Sequence, residues 1–150
     1  MSTPPESTTD EFIRAILTEV KTIALVGLSA DPTRPSHYVF DFLQRHGYKM
    51  VGVNPGLAGK EILGAPVYAR LADIPFPVDM IDIFRNSAAA GLVVDEALAL
   101  SPRPKVIWMQ LDVRNDEAAQ KAKAQGLKVV MNRCPKIEYR RLLENSHGRG

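Results

Sequence analysis

Apolar residues fall along this chain in two patterns. Short, nearly unbroken runs occur at 22–27 (Ile23 to Val26 is wholly apolar), 49–53, 79–84, 106–110 and 127–131. Stripes spaced three and four apart occur between them, as in Phe12, Ile13, Ile16, Leu17 and Val20, or Val39, Phe42 and Leu43. The runs predict buried strands and the stripes predict helices packed on one face. Boundary residues agree. Asp10 stands where a cap is expected for the first helix, and Gly47 and Gly126 stand where helices close. Asn86 or Ser87 can cap a helix from Ala88 to Leu100, which Ser101-Pro102 ends. Asn115 can cap one reaching about Ala124, and a last helix is predicted from about Pro135 to Glu144. Asn54-Pro55-Gly56 is a turn, 59–68 a loop leading to a brief third strand, and 71–74 at most one helical turn.

Strands that are apolar throughout, alternating with helices, indicate a parallel sheet covered on both faces. The predicted fold is α/β, a doubly wound, mostly parallel, Rossmann-like sheet in one domain over 10–145. Residues 1–9 are expected to form a disordered tail and 146–150 a frayed end. Right-handed crossovers would gather Gly27, Asn54, Phe84, Gln110 and Met131 at the carboxyl edge of the sheet, where open α/β sheets bind ligands.

Composition narrows the function little. The 150 residues suit one domain, with 45% hydrophobic and 24% charged content. A net charge of +2 argues for neither nucleic acid nor membrane as a partner. No stretch approaches the roughly 20 apolar residues of a membrane span, and the first residues lack the pattern of a signal peptide. The single cysteine, Cys134, excludes an internal disulfide and fits a reducing compartment. A cytoplasmic protein is expected. No spacing of His, Cys, Asp or Glu suggests a metal site.

The stretch that carries chemistry is 22–37: a buried strand, a small-residue loop from Gly27, and a helix starting near Ser36. Such a turn brings backbone N–H groups and the positive end of a helix against a diphosphate. The dinucleotide fingerprint is absent, because Gly27-Leu28-Ser29-Ala30-Asp31-Pro32 holds one glycine where three are wanted. Strand two ends in Val53-Asn54-Pro55 rather than the acidic residue that holds an unphosphorylated ribose. A neutral end suits a ribose that carries a phosphate, so coenzyme A and NADP both fit, and NAD and FAD fit poorly. Residues 56–61 resemble a P-loop only in outline and lack the Ser or Thr that holds magnesium. Arg34, Lys60, Arg85 and Arg133 each follow a strand end and can bond phosphate with charge assistance.

These stretches, Val26 to Ser36 and Gly47 to Pro55, resemble the small stand-alone CoA-binding proteins, themselves similar to the CoA-binding domain of the succinyl-CoA synthetase alpha subunit. Asp79 to Arg85, Ile107 to Gln110 and Val130 to Lys136 fit the same pattern, so the resemblance covers the chain apart from its termini. It implies a Rossmann-like protein that binds coenzyme A or a short acyl-CoA. The diphosphate would lie against Gly27, Ser29, Ala30 and Arg34, with Ser36 opening the helix. Asn54, Pro55 and Lys60 would lie near the adenosine part, with Lys60 on the 3′-phosphate, while Arg85, Met109 and Gln110 would line the continuing groove. Synthetases of this kind add an ATP-grasp partner and a phosphorylatable histidine in a further domain. The expectation here is binding without evident catalysis, with a protein partner or homo-oligomer left open. The pattern has Asp where Asn132 stands and His near Tyr139, which leaves any role shared by that corner unsupported. An NADP-dependent or redox-sensing module is the alternative.

The remaining candidates have plain readings. His37 and His46 are expected to be solvated helix-end residues, and Trp108 to belong to the core. Cys134 lies between Arg133 and a helix start, two features that activate thiols. A spectator thiol is the default, and a CoA mixed disulfide is the alternative.

Overall fold

The computed structural model describes residues 8–144. The expected tail up to residue 7 and the expected frayed end at 146–150, His147 included, lie outside the described residues.

Helix α1 (Asp10–Glu19) is capped by Thr9, whose side chain accepts from the Phe12 N–H at 3.1 Å. Asp10 is therefore not the cap. With two capping residues in succession, the first takes the role and Asp10 falls in the first turn. There its carboxylate meets Arg141 at 2.8 Å, and that hydrogen bond holds its pKa below the ordinary carboxylate value. Strand β1 (Thr22–Val26) leads to α2 (Pro35–Arg45) and β2 (Lys49–Val53). A 3-10 turn at Pro55–Leu57 precedes β3 (Glu61–Ile62) and β4 (Ala65–Tyr68), and a second one, Leu71–Asp73, precedes β5 (Met80–Ile83). Then follow α3 (Ser87–Leu98), β6 (Val106–Met109), α4 (Asp116–Ala124), β7 (Lys128–Val130) and α5 (Pro135–Tyr139), which runs into a π-helical turn at Arg140–Glu144.

The seven strands form one sheet in the order β3-β4-β2-β1-β5-β6-β7. Every described pairing is parallel except β3 with β4. The brief third strand is thus a hairpin. Leu63 (φ 54°) and Gly64 (φ 77°) both take left-handed backbone between its strands, as a primed hairpin turn requires. Leu-Gly lacks the usual Asn or Asp of such turns, which hid the hairpin from the sequence.

Two cores cover the sheet. Ile23, Leu25, Trp108 and Cys134 pack with α1 and α2 on one face, while Ala24, Val26, Ile81 and Met109 pack with α3 and α4 on the other. Trp108 is fully buried, as expected, and its Nε1 donates to the Arg133 carbonyl at 2.8 Å. One residue breaks the apolar pattern. Asp82, in register between Leu25 and Trp108, is fully buried, and neither carboxyl oxygen has a hydrogen-bond partner among the described residues. Burial pushes its pKa well above the ordinary range.

Because β2 and β5 lie on opposite sides of β1, the chain leaves β1 in one direction and returns from the other. The crevice at the carboxyl ends of β1 and β5 is the topological switch point, the position at which such sheets take ligands.

Candidate functional site

The crevice begins at Gly27, whose N–H donates to the Val53 carbonyl at 2.9 Å. Gly27 has φ +98°, and a Cβ there would lie 2.4 Å from the Phe84 carbonyl oxygen and 3.2 Å from Cδ of Arg85. Only glycine lets the β1 and β5 ends approach this closely. The next residue, Leu28, is fully buried over Gly52, where a Cβ would meet its Cδ2 at 2.4 Å. The turn after β1 is thereby pinned against β2.

From Ser29 onward the loop is held by its own polar groups. The Ser29 N–H donates to the buried Ser36 Oγ at 2.9 Å, and the Asp31 N–H donates to Ser29 Oγ at 3.0 Å. Asp31 accepts from the Thr33 N–H and hydroxyl at 3.0 and 2.8 Å, bonds that hold its pKa below the usual value. Its turn-forming role is as the sequence suggested. His37 Nδ1 donates to the Ser29 carbonyl at 2.9 Å; the oxygen can only accept, so this nitrogen carries the hydrogen. Asn54 bridges the loops after β1 and β2: its Nδ2 donates to the Leu28 carbonyl and its Oδ1 accepts from the Gly56 N–H, each at 2.8 Å.

What this lacing leaves unpaired defines the site. Among the described residues, the backbone N–H groups of Leu28, Ala30 and Ser36 have no acceptor, and Arg34, Arg85 and Lys60 make no ion pair. Ser36 lies in the first turn of an eleven-residue helix, so the helix adds its own partial positive charge. Gly27, Ser29, Ala30, Arg34, Ser36 and Asn54 line one cavity of about 510 Å³, with Leu28, Pro35 and Phe84 also on its wall. A second cavity of about 650 Å³ adjoins it across Pro35 and Phe84, which line both. Arg85, Gln110, Cys134 and Lys136 lie on its wall, with Tyr38 and Ile137 among its apolar lining. Both volumes fall in the range of small-molecule sites.

A family model described as a CoA binding domain matches residues 21–140 of this chain. The chain belongs to the CoA-binding domain family. The Bacillus subtilis (strain 168) protein YneT is 37% identical over 127 residues, which is 85% of this chain and 91% of that protein. A solved protein from Pyrococcus horikoshii OT3 is 39% identical, covers 95% of this chain and 98% of its own, and superposes with a TM-score of 0.86. One from Thermus thermophilus is 39% identical, covers 91% of this chain and 100% of its own, and gives a TM-score of 0.85.

Several residues that the sequence assigned to a CoA-binding site stand apart from the two cavities. Pro55 starts the 3-10 turn beside the first cavity without lining it. Lys60 is exposed beyond that turn, with its backbone bonded to Leu57 and Val67, and lines neither cavity. Met109 is fully buried in the core under α3 and α4, so its side chain does not line the groove. Arg133 bonds the buried Glu138 at 3.3 Å, which also accepts from Arg141 at 2.7 Å. It is a tied cation rather than an available one. The histidines are not merely solvated: His46 stacks on Phe42 at 4.0 Å and meets Glu144 at 3.1 Å.

The corner around Asn132 and Tyr139, where the resemblance led to an expectation of Asp and His, has a structural account. Asn132 takes left-handed backbone (φ 59°), which asparagine tolerates, and its Oδ1 accepts from the Asp112 N–H at 2.7 Å. Tyr139 packs edge-on to Phe42 and His46. Tyr38, Lys136 and Ile137 had not been singled out for the site. Tyr38 and Ile137 are large apolar residues left exposed early in α2 and α5, each shortly after the proline that opens its helix. Lys136 lies over the Tyr38 ring at 5.0 Å and links the two helix starts.

Proposed function

We propose that this chain binds coenzyme A or a short acyl-CoA along the two joined cavities, as a cytoplasmic binding module without catalysis of its own. The observation that carries the reading is the set of unpaired donors in the first cavity: N–H groups of Leu28, Ala30 and Ser36 beside the free guanidinium of Arg34. A diphosphate offers several oxygens to these donors at once and bonds the guanidinium with charge assistance. Arg85, whose stem lies over Gly27, extends the positive charge toward the second cavity. In this reading Lys60 reaches the 3′-phosphate from the exposed loop after β2, beside Asn54 and Pro55. Binding alone is sufficient for a carrier or a sensor, and a subunit of a larger acyl-CoA system would add a partner to it.

The neutral Asn54 at the end of β2 supports NADP equally well as a second reading, because it offers no carboxylate to repel a ribose phosphate. Thermal unfolding with coenzyme A, dephospho-CoA, NAD and NADP separates the two. At about 100 times its Kd, a ligand adds roughly 2.7 kcal/mol, or about 5–10 °C for a domain of this size. Coenzyme A is expected to give the largest shift and dephospho-CoA a smaller one. A response to NADP alone would overturn the reading.

Arg34→Ala is expected to weaken CoA binding about 10- to 100-fold, the loss of one charge-assisted contact. Arg34 is exposed and unpaired, so the free protein should melt as the wild type does. Unchanged affinity in a calorimetric titration would place the diphosphate elsewhere.

A further inference from the structure

The second cavity collects two groups to which the proposed CoA binding gives no specific contact. Gln110, just past the end of β6, is 6% exposed and lines the cavity, and its side-chain amide makes no hydrogen bond among the described residues; Oε1 is buried without a partner. An unsatisfied buried polar group is destabilising, and a ligand that bonds the amide would offset that cost. Cys134, the chain's single cysteine, lines the same cavity, 5% exposed, between β7 and α5. Around them the lining mixes the cationic Arg85 and Lys136 with the apolar Tyr38 and Ile137. An aliphatic chain interrupted by amides and ending in sulfur matches that mixture, and the pantetheine arm of coenzyme A is such a chain. Pro35 and Phe84 line both cavities, so the arm of a CoA held by its diphosphate in the first would have a path into the second.

Resting on the CoA reading, we propose that Gln110 bonds an amide of the pantetheine arm and that Cys134 captures CoA from CoA disulfide as a protein–CoA mixed disulfide. The Cys134 thiolate attacks one sulfur of the CoA disulfide. The sulfur–sulfur bond of the reagent breaks as the Sγ–S bond forms, and the second CoA departs as a thiolate that takes up the proton Cys134 released. Cys134 is oxidised, the departing sulfur is reduced, and no other oxidant is needed. Bound CoA is thereby retained covalently under oxidising conditions and released by thiols.

Intact-protein mass spectrometry after incubation with CoA disulfide, and in parallel with glutathione disulfide, tests this directly, because an adduct can form only on Cys134. One CoA adduct is expected, reversed by dithiothreitol and formed at least about tenfold faster than the glutathione adduct, since docking aligns the reacting sulfurs. Excess CoA lacking its thiol should slow it. Equal rates with both disulfides, or indifference to that competitor, overturn the proposal. If reduced CoA stabilises the protein yet no adduct forms, the capture step fails and the CoA reading stands; if neither occurs, both fail. Gln110→Met replaces an unpaired amide by an apolar chain of similar length, so it should fold as well as the wild type. Its capture of CoA disulfide should slow about tenfold, the worth of about one hydrogen bond. An unchanged rate removes Gln110 from the site.

Discussion

Gly27→Ala is expected to cost about 2–5 kcal/mol of stability, combining left-handed strain with overpacking. The position has φ +98°, and the new methyl would sit 2.4 Å from the Phe84 carbonyl oxygen. Backbone cannot yield as a side-chain tip can. Relief requires parting β1 from β5, where the Phe84 N–H donates to the Val26 carbonyl at 2.8 Å. The same displacement would move Leu28 and the unpaired N–H groups of the loop, so ligand binding should fall with stability. A urea denaturation series measures the first effect and titration with coenzyme A the second. A variant with the wild-type midpoint would show that the β1–β5 edge relaxes freely, contrary to the packing described.

The second large effect belongs to Asp82. Burial raises its folded-state pKa well above the ordinary 3.8, so the folded group keeps its proton where an unfolded chain has lost it. Below the unfolded value both states are protonated and its contribution to stability is complete. As pH rises further, the unfolded chain releases the proton first, and stability falls by about 1.4 kcal/mol per pH unit until the folded group ionises as well. Asp82→Asn removes the ionisation and keeps the shape. The variant should therefore gain on the wild type by about 1.4 kcal/mol for each pH unit across that window. Denaturation curves for both proteins at several pH values test this. Parallel stability profiles would mean that the carboxyl is solvated or paired.

Much of the site was legible because it depends on local order along the chain. A parallel sheet gathers the loops that follow its strands, so strand ends and the loop after the first strand pointed to Gly27, Arg34, Ser36 and Asn54, the family resemblance added Ser29 and Ala30, and all six line one cavity. Met109 and Gln110 show where that reasoning stops. Adjacent strand residues face opposite sides of the sheet, but strands buried on both faces have no polar alternation to mark which side is which. Met109 turned into the core under α3 and α4, and Gln110 alone lines the groove. Arg133 failed as a free cation because Glu138 folds back onto it from α5, and the Leu63-Gly64 hairpin lacks the usual turn composition. Asp82 was masked by the apolar residues on either side of it.

The sequence by itself determined the alternation of buried strands and capped helices, hence a doubly wound sheet with a small-residue turn after its first strand. These are consequences of periodicity, turn chemistry and backbone freedom, each acting over a few residues. Only the tertiary structure decided which cations remain unpaired, that Pro35 and Phe84 line two cavities, and that Gln110 and Cys134 line one of them together. Those facts depend on which face each side chain takes and on partners far away along the chain, and neither is written in the local pattern.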